Sequence, residues 1–124
     1  IYGHGIDTIA ICEAYGMTKD KKLAQAAQLG INFIVAAQDP RGGGWGYDLR
    51  AAGDTSIVGW QLMALKSAWM SNIQFPQETI RKASFFLDSV QTDGGSSYHY
   101  AKAGDRAPGS PPLTACGLLC RMYM

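Results

Sequence analysis

The sequence predicts an all-α protein built as a double layer of antiparallel helices. Apolar residues recur at helical spacing in five stretches, and no stretch alternates with the period of two that a half-buried strand requires. The stretches also alternate in kind, between helices with one wet face and helices that are apolar all round.

The first stretch, His4–Tyr15, carries Ile6, Ile9, Ala10, Ile11, Cys12, Ala14 and Tyr15 around most of its circumference. The second, Lys21–Ala37, keeps Leu23, Ala26, Ala27, Ile31, Ile34 and Ala37 to a stripe, with Lys22, Gln25, Gln28 and Asn32 between them. The third, Thr55–Met70, opens on the capping run Asp54-Thr55-Ser56 and is then apolar on nearly every side, through Ile57, Val58, Trp60, Leu62, Leu65 and Trp69. The fourth, Pro76–Val90, begins with a proline suited to a first turn and with Glu78 near the positive helix end. Its apolar residues Ile80, Ala83, Phe86, Leu87 and Val90 again form a stripe. The fifth, Leu113–Met124, is apolar all round. Helices apolar all round belong inside, so the order is inner, outer, inner, outer, inner. Trp60 and Trp69 are expected in the core of the third helix.

Composition bounds what such a chain can be. With 124 residues, 47% apolar and 17% charged, it is an ordinary soluble globular sequence, and disorder as the main state is excluded. A net charge of +1 provides no basic stripe for phosphate neutralisation, which argues against a nucleic-acid partner. No apolar run reaches the roughly 18–20 residues needed to span a bilayer. The start Ile1-Tyr2-Gly3-His4 has neither signal-peptide character nor an initiator Met, and reads as a processed or excised piece. Cys12, Cys116 and Cys120 are odd in number and sit among apolar residues, which points to buried free thiols and a reducing compartment. Cys116 and Cys120 share a helix face and could supply two metal ligands, but no further ligand at recognisable spacing accompanies them, so no metal and no cofactor are expected.

A shift of 53 residues superposes Met17 on Met70, Phe33 on Phe86, Gln38 on Gln91, Gly42 on Gly95 and Tyr47 on Tyr100, with Trp45 falling on Tyr98. The chain thus divides into units of about 4–52 and 54–106 and a partial unit 107–124, together one repeat domain. Repeats of this length indicate solenoids or closed helical arrays. Each unit ends in a Gly-rich return loop. Gln38, Gly43, Trp45 and Tyr47 mark the first, and Gln91, Gly95, Tyr98 and Tyr100 the second. The glutamine amide can satisfy helix-terminal backbone groups while the aromatic seven residues later packs over it, and the glycines permit the turns. Gly42-Gly43-Gly44 follows no strand, opens no helix and is not followed by Lys-Ser/Thr, which excludes a phosphate-cradling loop.

Phe33-Ile34-x3-Gln38-x4-Gly43-Gly44-Trp45 resembles the Gln-Trp repeat of triterpene cyclases, with Phe86-Leu87-x3-Gln91 and Tyr98 as a degenerate second copy. The segment from Gly53 to Leu65 resembles the opening of an inner helix in squalene-hopene cyclases. The whole chain is similar to the terpenoid cyclase and protein prenyltransferase group, the prenyltransferase and squalene-oxidase repeat proteins. That resemblance implies an α/α-toroid, of which three inner and two outer helices make about half a ring. It also implies a hydrophobic or isoprenoid ligand on the inner face. Bacterial triterpene cyclases protonate an alkene with an Asp of an Asp-x-Asp-Asp-Thr-Ala motif. Here only Asp54-Thr55 matches, and Gly53 stands where the proton donor would be. The prenyltransferase zinc ligands find no match in Asp54, His99 or Cys116, and the Cys-Gly-Glu-Gln of thioester domains is absent.

The remaining candidates for chemistry are Asp54, His4 and Asp7, all near inner-helix starts, where they could form an acid/base or metal cluster. The alternative is that Asp54 is an N-cap and His4 a satisfied terminal residue. His99 is expected to be a loop residue. The expected function is a noncatalytic module binding a hydrophobic ligand or a protein partner on its inner helical face. The alternatives are a cyclase or prenyltransferase whose site is completed by another chain or further sequence, and, more remotely, a polysaccharide lyase or hydrolase. The unpartnered fifth helix predicts self-association or association with the missing half of the ring.

Overall fold

The computed structural model describes residues 1–101 and 109–124. Among these it contains five helices: α1 (Tyr2–Thr18), α2 (Lys21–Ala37), α3 (Thr55–Met70), α4 (Gln77–Ser89) and α5 (Pro111–Tyr123). The protein is all-α apart from a two-residue antiparallel ladder, β1 (Gln91–Thr92) with β2 (Ser97–Tyr98), which pairs Gln91 with Tyr98 and Thr92 with Ser97. The ladder departs from the expectation of no strand because two residues are too few to display a period. The boundary expected between residues 106 and 107 lies outside the described residues.

Local chemistry sets the helix limits. The Asp20 carboxylate accepts from Lys22 N–H at 2.9 Å and starts α2. Ser110 accepts from Leu113 N–H at 3.3 Å, and the prolines that follow suit a first turn, where no intrahelical donor is needed. Pro76 stands just outside α4 as its N-cap rather than inside it. Lys19 ends α1 in the left-handed region (φ 55°), with its N–H on the Tyr15 carbonyl at 2.8 Å.

α3 is central, packing against all four other helices. Two close approaches along the α1–α3 seam, Gly5 to Gln61 and Gly16 to Ser71, advance together in sequence, so the two helices run parallel. A side chain at either glycine would collide, since a Cβ there would lie 2.6 Å from Gln61 Nε2 or Ser71 Oγ. The α3–α5 seam is also parallel, with Cys116 at Thr55 and Gly59, and Tyr123 level with Leu65. α2 and α4 each follow a short turn and bury their stripes, with Ala27, Ile31 and Ile34 from one and Ala83, Phe86 and Leu87 from the other.

Two sequence expectations need correction. α1 and α5 are not enclosed: α1 buries Gly5, Thr8 and Cys12, α5 buries Gly117 and Cys120, and Ile6, Leu118 and Met122 are exposed. Among the described residues only α3 packs against all four other helices, so an all-round apolar composition guarantees enclosure only where other helices are present to enclose it. Trp69 is likewise outside the core. It is 62% exposed and lies under the Lys66 ammonium, 4.5 Å from the ring centroid, while Trp60 is half-buried against Tyr2.

Candidate functional site

The return loops work as clamps. At the end of α2 the chain turns so that Gln38 N–H bonds the Val35 carbonyl. The Ile34 carbonyl, one of the terminal acceptors a helix leaves open, instead receives the Trp45 indole N–H at 2.7 Å. The buried Gln38 amide donates to the Gly43 carbonyl at 2.8 Å and to the Thr79 carbonyl in the first turn of α4 at 2.9 Å, tying loop and next helix together. In the second loop Gln91 Nε2 donates to the Gly95 carbonyl and to the Tyr98 hydroxyl, both at 3.1 Å, and Arg121 Nε reaches the same hydroxyl from α5 at 3.2 Å. Trp45 and Tyr98 are both fully buried, and Gly43 and Gly95 both take positive φ, 80° and 97°. The 53-residue shift pairs Gly42 with Gly95, but by hydrogen bonding and φ it is Gly43 that corresponds to Gly95. Tyr47 and Tyr100, by contrast, are exposed.

Asp54 is buried at the start of α3. Its Oδ1 accepts from Ser56 N–H at 2.7 Å, Ser56 Oγ at 2.6 Å and Ile57 N–H at 3.3 Å, the geometry of an N-cap. Its Oδ2 is buried and accepts no hydrogen bond within 3.5 Å among the described residues, although the Tyr100 phenol stands beside the carboxylate. The Asp54 carboxylate, with Tyr47 next to it, holds the Tyr100 phenol well above its ordinary value. His4 and Asp7 do not join Asp54. His4 Nε2 is 3.0 Å from the Gly30 carbonyl and its ring packs on Phe33 with centroids 4.2 Å apart, while Asp7 is exposed. Among the described residues no three His, Cys, Asp or Glu side chains gather into a metal-holding group. His99, half-buried, holds the loop through its backbone N–H on the Val90 carbonyl at 2.8 Å.

The most apolar of the described grooves lies between α3 and α5. Ser56, Trp60 and Met63 face Cys116, Leu119 and Tyr123 across a groove of about 330 Å³, within the size range of small-molecule pockets. α3 and α5 meet at its floor, where Gly59 leaves room for Cys116, whose Sγ lies 3.4 Å from the Thr55 carbonyl. The thiols differ in character. The adjoining Cys116 side chain and burial drive the Cys120 thiol far above its ordinary value. Away from the groove, burial and Glu13 push the Cys12 thiol up to about 11.

Sequence reasoning placed Trp60 in the core, read Ser56 only as part of a capping run, and put neither Ser56 nor Met63 at a site. A signal was present: Gly59 interrupts an otherwise bulky apolar run, and Ser56, Trp60 and Met63 lie on one helix face around it. Fold and groove together define an all-α protein with an apolar cleft between α3 and α5. Comparison with protein-family models, with curated proteins and with solved structures finds no match.

Proposed function

We propose that this chain is a noncatalytic module of the terpenoid cyclase and prenyltransferase repeat type, which binds a hydrophobic, isoprenoid-like ligand in the α3–α5 groove. The observation that carries the reading is the groove itself, lined almost wholly by apolar side chains of α3 and α5 and partly open to solvent. Burying a ligand's hydrocarbon there returns about 25 cal/mol per Å² of apolar surface removed from water. The half-toroid reading draws support from the parallel α1, α3 and α5 with antiparallel α2 and α4, and from the two glutamine clamps.

The noncatalytic reading draws on Gly53. At the position where the resemblance would place a proton donor, a Cβ would lie 2.8 Å from Phe86 Cδ2 and 2.9 Å from the Gly44 Cα, so the fold has no room there for an acidic side chain. Asp54 serves as the cap of α3. Substituting Asp54→Asn separates the module from an enzyme completed by another chain. The module predicts a loss of about 1 kcal/mol or less of stability and no isoprenoid product from either protein. A cyclised or transferred product formed by the native chain and lost in Asp54→Asn would reject it.

A further inference from the structure

We infer that the C-terminal end of α3 carries a second binding site, independent of the groove, for a neutral saccharide, with Trp69 as stacking platform and the Asn72, Gln74 and Gln77 carboxamides as hydroxyl binders. The inference starts from an exposed ring that packing does not account for. Trp69 follows the fully buried Ala68 on the central helix, yet it is 62% exposed. It lines two neighbouring depressions. Lys66 lines the first, and its ammonium covers one face of the indole. The second, of about 390 Å³, is bordered by Trp69, Phe75 and the three carboxamides, without Lys66, and takes the other face of the ring.

The backbone around this depression is held in place. Ser71 Oγ donates to the Cys12 carbonyl at 2.8 Å, Asn72 turns the chain in the left-handed region (φ 63°), and Ile73 is buried with its N–H on the Ala68 carbonyl at 2.9 Å. Gln28 grips the Gln74 backbone twice, donating to its carbonyl at 2.8 Å and accepting from its N–H at 3.3 Å. A ligand therefore meets a loop that does not have to order itself on binding. Among the described residues the Asn72 and Gln77 carboxamides have no hydrogen-bond partner, and that of Gln74 makes only a 3.5 Å contact with the Asn72 carbonyl.

Each carboxamide offers two donors and an acceptor without charge. A pyranose needs both surfaces at once: its ring carbons present a flat C–H face to the negative face of an indole, and its hydroxyls donate and accept around the rim. A wholly apolar ligand would strip water from the carboxamides and leave them unpaired. No Asp, Glu, Lys or Arg lines the depression among the described residues, so nothing there pairs an anionic group. Nor is there the pair of carboxylates on which glycoside hydrolysis ordinarily depends, and the site binds without cleaving.

Cellohexaose and chitohexaose, neutral chains with equatorial ring substituents, test this by heteronuclear NMR titration of the native chain, with the anionic hexamer of galacturonic acid for comparison. At least one neutral hexamer should shift the Trp69 indole and the Asn72 and Gln77 carboxamide signals saturably, and should bind more tightly than the uronate. Trp69→Ala should abolish those shifts with helix content unchanged, and Gln77→Ala should weaken binding about threefold or more. No saturable shift with either neutral hexamer, tighter binding of the uronate, or undiminished binding in Trp69→Ala overturns the inference and leaves the groove reading untouched. Shifts at Trp69 that follow protein concentration instead of sugar also overturn it, assigning the ring to a contact between copies of the chain.

Discussion

Replacing Trp45 with Phe removes one hydrogen bond whose partner cannot find another. The indole is fully buried, and its N–H, 2.7 Å from the Ile34 carbonyl, satisfies a terminal acceptor of α2 that Gln38 N–H has abandoned for Val35. A buried acceptor left unpaired costs about 1–3 kcal/mol. The smaller ring adds roughly 1 kcal/mol of lost packing. The expected total, about 2–4 kcal/mol, should lower Tm by roughly 10 °C in a chain of this size. Urea unfolding followed by far-ultraviolet circular dichroism reads it, with Trp69→Phe as control. Trp69 is 62% exposed, so its replacement should stay within about 0.5 kcal/mol. A Trp45→Phe protein within 1 kcal/mol of the native chain would refute the reasoning that the indole N–H closes α2.

Three further outcomes follow from specific geometry. Gly43→Ala should destabilise by at least about 2 kcal/mol in the same urea assay, because φ is 80° there and the new methyl meets the Lys82 backbone carbonyl. Gly53→Asp, which rebuilds the acidic pair before Thr55, should lower Tm and yield no isoprenoid product, because its Cβ runs into Phe86. The Cys12 thiol, raised to about 11, favours folding while it stays protonated. Its contribution is therefore fully present below the unfolded value near 9 and is lost as pH rises through 11. Cys12→Ala should flatten that alkaline decline in a pH series of thermal melts.

The helices were legible to the extent that their signals are local. α2 and α3 have the limits expected because Asp54, Gln38 and the glycines around them act within a few residues of the chain. The burial of Trp45 and Tyr98 was legible for the same reason, since each closes a loop begun by a glutamine seven residues earlier. The exposure of Leu118, Met122 and Trp69 was not, because an apolar side chain reads the same whether or not a neighbour arrives to cover it. Nor was the groove, which depends on Cys116, Leu119 and Tyr123 coming from α5, about sixty residues beyond Ser56 and Trp60 in sequence. His4 was separated from Asp54 by its contact with Gly30 and Phe33, a choice made between α1 and α2 that spacing along α1 does not encode.

The claim that the α3–α5 groove is the binding site is tested most directly by titrating farnesol into the native chain and into Ala115→Trp. Ala115 lines the groove and is exposed, so an indole there fills the space without touching the core. The groove reading predicts saturable one-site binding to the native chain and its loss in Ala115→Trp at unchanged Tm. Equal binding by both proteins, or no saturable binding by the native chain, would contradict it.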